Sequence, residues 1–181
     1  KKEIIDNIVS DAQTLILVPE INDAQKIFAN LERKKDAIII TGSLGAKNLW
    51  EAMIAVRQGE KKIIIGTHRA VFLPFYNLTN IIIDDEGSFS HKSWDMAPRL
   101  HNRDAALILA KYYGAKTFIL GHSPTAETYF FTKEKIYNGD IKQIPDLIRE
   151  HEIVKMSDEK KSGNYSAISE TLAKNIKDTT G

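Results

Sequence analysis

Short runs of Ile, Leu and Val recur along the 181 residues, and they constrain the fold more than any other feature of the sequence. The runs lack the strict alternation of a half-exposed strand, so they are typical of parallel strands that are covered on both faces. The predicted strands are Thr14 to Val18, Ala37 to Ile40, Lys62 to Ile65, Asn80 to Ile83, Thr117 to Leu120 and, more polar, Glu152 to Met156.

Amphipathic helical segments lie between these runs. The predicted helices run from a cap at Asn22 or Asp23 through Arg33, from Ala46 to Gln58 before Gly59, from Asn102 to Tyr113 before Gly114, and from Ser166 to Ile176. Strands that alternate with helices of this length indicate a three-layer, mostly parallel α/β sheet with helices on both faces. Ligands of such sheets bind beyond the carboxyl ends of the strands, so the segments that follow strands are the candidate sites.

Composition excludes several classes of protein. The 25 Lys and Arg nearly balance the 24 Asp and Glu, so the net charge of +1 neither indicates nor excludes a nucleic-acid partner. The absence of cysteine excludes disulfides and cysteine zinc sites within these residues and fits a cytoplasmic protein. No apolar run approaches the ~20 residues that cross a bilayer, so no membrane partner is predicted.

An acidic run, Asp84-Asp85-Glu86, directly follows the apolar strand that ends at Ile83. Carboxylates at a strand end suit a phosphate-bound Mg²⁺, which prefers oxygen ligands and keeps several waters. The acids can equally cap the next turn in solvent, and the residues alone leave both interpretations open.

Three other strand exits carry candidate residues. Gly66-Thr67-His68-Arg69 offers a hydroxyl and a guanidinium for phosphate oxygens, although Thr67 can also be an ordinary cap. Pro19-Glu20 redirects the chain after the first strand, and Gly121 to Thr125 precedes a helix that Ser123 or Thr125 can cap.

The segment from Ser88 to Leu100 interleaves aromatic and basic residues, among them Phe89, Trp94 and Arg99. Such a loop can stack on bases and pair with phosphates, or fold back onto the domain. No G-x-x-x-x-G-K-[ST] loop occurs in the sequence, and the five histidines show no ligand-like spacing.

The order and spacing of these segments resemble the PriA family, primosomal protein N′, of replication-restart helicases. The family patterns LVPEI, IGTRSALFAP, NLGLIIVDEEH, PRYHARD and GSATPS correspond to Leu17 to Ile21, Ile65 to Pro74, Asn77 to Gly87, Pro98 to Asp104 and Gly121 to Thr125. The resemblance runs from about residue 3 to the C-terminal end.

The resemblance implies a RecA-like lobe, of the P-loop NTPase type, from an ATP-dependent superfamily 2 helicase that unwinds DNA from 3′ to 5′. It implies that Asp84, Asp85 and Glu86 are catalytic, with Asp84 holding Mg²⁺ through water and Asp85 in the position of the family's catalytic Glu. By the same resemblance, the DNA-contacting residues are Pro19, Glu20, Thr67, His68, Arg69, Phe89, Trp94 and Arg99. The residues that couple hydrolysis to movement are Gly121, His122, Ser123, Pro124 and Thr125.

The sequence departs seriously from the family in two of these motifs, and His68 and Val71 change a third mildly. The family's DEEH is Asp84-Asp85-Glu86-Gly87 here, so the expected base is one methylene shorter, and the coupling motif is one residue shorter. A displacement near ~1 Å can cost ~10²-fold in rate. An alternative function is therefore a non-catalytic scaffold that binds DNA or a helicase loader.

The resemblance also implies how the chain is divided. Residues 1–150 are expected to form an incomplete helicase lobe, and residues 151–181 its end and the link toward a second lobe. The phosphate-binding loop is expected before Lys1, and the family's zinc-binding cysteines after Gly181. We therefore expect this fragment alone to be inactive, with ATP, Mg²⁺, DNA and primosome or helicase-loading proteins as ligands and partners of the parent protein.

Overall fold

A computed structural model describes residues 12–92, 99–134, 156–166 and 168–179. They fall into two compact units, Lys1–Gly139 and Asp140–Gly181. The division predicted between residues 150 and 151 stays a prediction.

Five parallel strands form the sheet of the first unit, in the spatial order β2-β3-β1-β4-β5. The strands are β1 (Gln13–Leu17), β2 (Ala37–Ile40), β3 (Ile63–Gly66), β4 (Leu78–Ile83) and β5 (Lys116–Ile119). The helices between and after them are α1 (Ile21–Asn30), α2 (Ala46–Arg57), α3 (Asn102–Tyr113) and α4 (Ala126–Lys133). The predicted α/β sheet is confirmed.

Helices cover both faces of this sheet. Successive side chains of a strand point to opposite faces, so each strand contributes to two cores. Leu15 and Leu17 pack in one core with residues of α2 and α3, whereas Ile16 and Val18 pack in a second core with Ala24 of α1. The central strands β1, β3 and β4 consist mostly of buried residues, as their continuous apolar sequence predicts.

At the amino-terminal end of the sheet, the buried side-chain amide of Gln13 joins three segments of the chain. The Gln13 side chain donates to the carbonyls of Val56 and Lys61 at 2.8 and 2.9 Å, and accepts from the backbone N–H groups of Tyr76 and Asn77 at 2.8 and 3.0 Å. The one side chain therefore uses both amide protons and both oxygen lone pairs. It connects β1 to the segments that lead into β3 and β4.

Several element boundaries differ from the predictions, since the first helix ends at Asn30 instead of Arg33 and the last helix spans Glu170–Thr179 instead of Ser166 to Ile176. The first helix begins at Ile21 with Glu20 as its N-cap residue, so the predicted cap at Asn22 or Asp23 is wrong. The extended backbone of Glu20 already lets its carbonyl accept the first helical hydrogen bonds. Residues 152–155 of the predicted sixth strand lie outside the described residues, and Met156 begins a helix instead.

The second unit contains α5 (Met156–Lys161) and α6 (Glu170–Thr179) in its described part. The Glu159 carboxylate accepts hydrogen bonds from the side chain of Asn164 and the backbone N–H of Glu170, at 2.7 and 3.1 Å. It thus links the two helices. Among the residues that the structure describes, none of the helices has the length and apolar character needed to cross a membrane.

Candidate functional site

The carboxyl edge of the sheet collects the candidate segments. Since all five strands are parallel, the exits of β3, β1, β4 and β5 lie side by side along this edge. The acidic run after Ile83 and the turn after Gly66 thus share one edge, as the sequence predicts. Only β1 separates β3 from β4, which places the two exits about 10 Å apart.

The three acids of the β4 exit occupy different environments. The backbone N–H of Asp84 donates to the carbonyl of Leu17 at 2.8 Å, and this residue is buried. Asp85 is half-buried and adopts φ +52°, the only positive φ outside glycine in the described residues. Glu86 is buried, with 1% of its surface exposed. Asp85 is therefore the most accessible acid of the three, and its backbone is strained.

The Glu86 carboxylate reaches two other segments. It accepts from the backbone N–H of Thr125 at 2.9 Å and from the Thr125 hydroxyl at 3.0 Å, and it lies 3.5 Å from Nη1 of Arg103. The Thr125 hydroxyl also accepts from Nη1 of Arg103 at 3.1 Å. The β4 exit, the start of α3 and the turn before α4 are thereby joined by one polar network.

A buried histidine supports the other flank of the acidic run. Nε2 of His91 donates to the carbonyl oxygen of Asp84 at 2.8 Å, and Nδ1 accepts from the Asn102 amide at 3.1 Å. These partners require a neutral ring with the proton on Nε2. Burial lowers the pKa of His91, against the opposing effects of the Asp84 carbonyl and of nearby carboxylates such as Asp85.

The predicted DNA-contacting loop begins and ends beside this histidine. Lys92 and His101 form an antiparallel bridge that closes the base of the loop. Phe89 is 84% exposed and Arg99 is also exposed, so both side chains are available at the surface. Trp94 lies outside the described residues.

A close backbone approach shapes the turn after β3. A Cβ atom on Gly66 would lie 2.6 Å from Cβ of Ala70 and closer still to the carbonyl oxygen of Ile40, so only glycine fits here. Thr67 is buried and donates its N–H to Ile40, whereas Arg69 is exposed. Burial, followed by the charge of Arg69, lowers the pKa of His68.

Two other strand exits along the carboxyl edge, after β1 and after β5, also carry predicted site residues. Pro19 is half-buried and Glu20 is exposed. Gly121, His122 and Ser123 are exposed, and Pro124 is half-buried. Thr125 caps α4, its hydroxyl accepting from the N–H of Thr128 at 3.3 Å, and the same side chain contacts Glu86. Thr125 is therefore a helix cap, as the sequence allowed, and also contacts the acidic turn, whereas its role in coupling stays a prediction.

Sequence reasoning missed the roles of Arg103, Asn102 and Gln13. The first two lie in or beside the PRYHARD-like segment, which was matched as a whole without a role for either residue. Their partners are 17 and 11 residues away along the chain, so local patterns could not pair them.

No group of three or more His, Cys, Asp or Glu side chains that could hold a metal ion occurs within the described ranges. The buried carboxylate of Asp84, with that of Asp85 beside it, fits a phosphate-bound Mg²⁺, which needs one or two protein carboxylates and keeps several waters.

Sequence comparison finds replication restart proteins. The chain is 25% identical over 172 residues to the replication restart protein PriA of Bacillus subtilis, covering 92% of this chain and 21% of that protein. It is 30% identical over 185 residues to PriA of Rickettsia typhi, covering 96% of this chain and 27% of that protein. The chain thus spans about a fifth to a quarter of the length of these relatives. No family model matches it.

Solved helicase structures share the fold. The C-terminal domain of the DEAD-box protein Dbp5 matches with a TM-score of 0.52 at 14% identity, over 78% of this chain and 77% of that domain. The DUF1998 helicase MrfA, in a structure bound to DNA, matches with a TM-score of 0.50 at 13% identity, over 75% of this chain and 19% of that protein. At these identities the likeness concerns the fold, a three-layer α/β domain of the RecA-like helicase type.

Proposed function

Because this chain is a PriA-like helicase lobe, we propose that it works within an ATP-dependent 3′ to 5′ DNA helicase of replication restart. The observation that carries the proposal is the shared carboxyl edge. It places an acidic turn suited to nucleotide chemistry beside a turn whose exposed arginine suits a DNA backbone.

The acidic turn is proposed to act on the nucleotide. Asp84, buried directly behind β4, would hold Mg²⁺ through a water molecule, and the ion would neutralise charge on the phosphates. Asp85 is half-buried and follows immediately, so its carboxylate would orient the attacking water. Glu86 points away into the network with Thr125, which makes it a support for this turn.

The DNA-facing side of the proposal depends on exposed residues. Arg69 at the β3 exit would pair with a phosphate, and Phe89 and Arg99 would contact bases and phosphates from the loop. Thr67 is buried, so we propose that it shapes the turn and leaves phosphate contact to its neighbours.

The 181 residues contain no G-x-x-x-x-G-K-[ST] loop to cradle phosphates. We propose that ATP hydrolysis therefore needs the full-length protein, and that DNA and other primosome or helicase-loading proteins in the cytoplasm are its partners.

ATPase activity of the full-length protein, with and without single-stranded DNA, tests the proposal. We expect hydrolysis that DNA stimulates, and its loss in Asp84→Ala, whereas Glu51→Ala on the exposed face of α2 should keep it. Hydrolysis that is insensitive to both DNA and Asp84→Ala would refute the assignment.

A specific observation favours a second function. Asp85 stands where the family has Glu, and its left-handed backbone adds a further constraint on the shorter side chain. A scaffold that binds DNA without hydrolysis is therefore the alternative. DNA binding that weakens in Arg69→Ala, together with no ATPase activity, would select the scaffold, whereas faster turnover in Asp85→Glu would select the motor.

A further inference from the structure

Arg103 is a buried cation in an unfavourable place. It lies in the first turn of α3, where the helix dipole repels positive charge, and only 7% of its side chain is exposed. Burying a charge costs several kcal/mol unless paired groups offset the loss of water. The hydrogen-bond and ion-pair partners of Arg103 must therefore offset the cost of burying its charge.

Those partners lie on three segments. Nη1 of Arg103 is 3.5 Å from Oε2 of Glu86, 3.1 Å from the Thr125 hydroxyl and 3.4 Å from the Thr128 hydroxyl, and Nε donates to Asp104 at 3.1 Å. Asp104 is largely exposed, whereas Glu86 is buried. The buried counter-ion of Arg103 is therefore Glu86, at the exit of β4.

Glu86 is fixed through its backbone as well as its carboxylate. Its N–H donates to the carbonyl of Leu120 at 3.0 Å, while the carboxylate binds Thr125. The preceding residue, Asp85, keeps a positive φ that L-residues rarely adopt. A strained residue persists only when its surroundings hold it, and Glu86 supplies that hold on one side.

We infer that Arg103 is a positioning residue, which keeps the Asp85 turn in its left-handed conformation by neutralising and anchoring Glu86, and which joins that turn to the Thr125 turn. The inference rests on the proposed function, because it assigns Arg103 an effect on the hydrolysis that Asp85 would support. It goes beyond that function by making α3 part of the machinery.

The test uses the full-length protein and four variants: Arg103→Met, Arg103→Lys, Glu86→Gln and the double variant Glu86→Gln/Arg103→Met. The matched control is Arg57→Met, since Arg57 is an exposed arginine at the end of α2. DNA-stimulated kcat, the KM for ATP and the thermal unfolding midpoint are measured for each. The kcat is calculated from the concentration of folded protein, so that unfolding of a variant is not mistaken for slower catalysis.

We expect Arg103→Met to lower kcat about 10- to 100-fold, because a displacement near 1 Å costs that much, with a smaller change in KM. Arg103→Lys should recover part of the loss, since lysine keeps the charge but not the planar fork. The double variant should unfold at a higher temperature than Arg103→Met, because it no longer buries an uncompensated carboxylate. Its kcat should be no lower than that of Arg103→Met, as expected for residues that act as a unit.

An unchanged kcat in folded Arg103→Met would overturn the inference and leave the proposed function standing. Additive losses in the double variant would also overturn it, since Arg103 would then act independently of Glu86. A full-length protein without any ATPase activity would overturn the proposed function, and this inference with it.

Discussion

Replacing Gly66 by alanine tests the closest backbone approach in the sheet. The added Cβ would meet Cβ of Ala70 at 2.6 Å and the carbonyl oxygen of Ile40 more closely still. Real Cβ atoms essentially never come this near to another atom. The second neighbour is backbone of the adjacent strand β2, so no rotation of a side chain can relieve the clash.

The cost follows from what has to move. Moving Gly66 away from Ile40 disturbs a hydrogen bond on each side of β3, from Thr67 N–H to Ile40 of β2 at 3.2 Å and from Val18 N–H, after β1, to Gly66 at 3.0 Å. Overpacking costs about 1–3 kcal/mol, and each weakened bond adds up to about 1 kcal/mol. Alanine also lowers the conformational entropy of the unfolded chain, which stabilises the fold by about 0.4–1 kcal/mol. With about 1 kcal/mol lost in each of the two bonds, these magnitudes combine to a net loss of about 2–4.5 kcal/mol in the free energy of unfolding.

Urea unfolding followed by circular dichroism measures this loss, provided that the slope of the transition stays constant. Gly42→Ala is the matched control, because a Cβ there has no atom within 4 Å. The control should be neutral or gain up to about 1 kcal/mol. If Gly66→Ala were as stable as Gly42→Ala, the close approach at the β3 exit would be refuted.

Three further predictions concern stability and are measured by the same urea titrations. Gln13→Leu should lower the free energy of unfolding by more than about 2 kcal/mol, because it leaves buried backbone groups without hydrogen-bond partners. Exposed Gln58→Leu should change this free energy little. Equal effects of the two substitutions would contradict the role of the buried amide. Asp85→Gly should be more stable than Asp85→Ala by about 1 kcal/mol, since only glycine tolerates φ +52° without cost; the reverse order would show that the turn is not left-handed. The lowered pKa of buried His91 means that the unfolded chain binds the proton first, so stability should fall as the pH drops below about 6.5, by at most about 1.4 kcal/mol per pH unit. His91→Gln should flatten this dependence across about pH 5.5–7.5. An unaltered slope in His91→Gln would contradict the neutral buried ring.

The strands and helices were predictable because their signals are local. The β2 run Ala37–Ile40 and the helix Asn102–Tyr113, which Gly114 ends in the left-handed region, were predicted with the bounds that the structure shows. The shared edge of the Asp84 and Gly66 exits followed from parallel topology alone. In each case a pattern of a few residues, or one topological rule, determines the outcome.

The internal supports of the site were not predictable in this way. Glu86 was placed among the catalytic acids because of its neighbours in sequence, yet its carboxylate binds Thr125, 39 residues later. Nothing in a run of three acids says which one turns inward. That choice depends on where the guanidinium of Arg103 lies once the chain has folded.

The first turn of α3 holds the acidic turn from both sides. Asn102 binds His91, which binds the carbonyl of Asp84, while the next residue, Arg103, binds Glu86. The strained Asp85 lies between these two supported neighbours, so its conformation depends on the position of one helix end. The Lys92–His101 bridge closes the predicted DNA-contacting loop, Ser88 to Leu100, and His101 directly precedes α3. A displacement of this loop large enough to move the start of α3 would therefore reach both flanks of Asp85 together, whereas a displacement that leaves the bridge and Asn102 in place would reach neither.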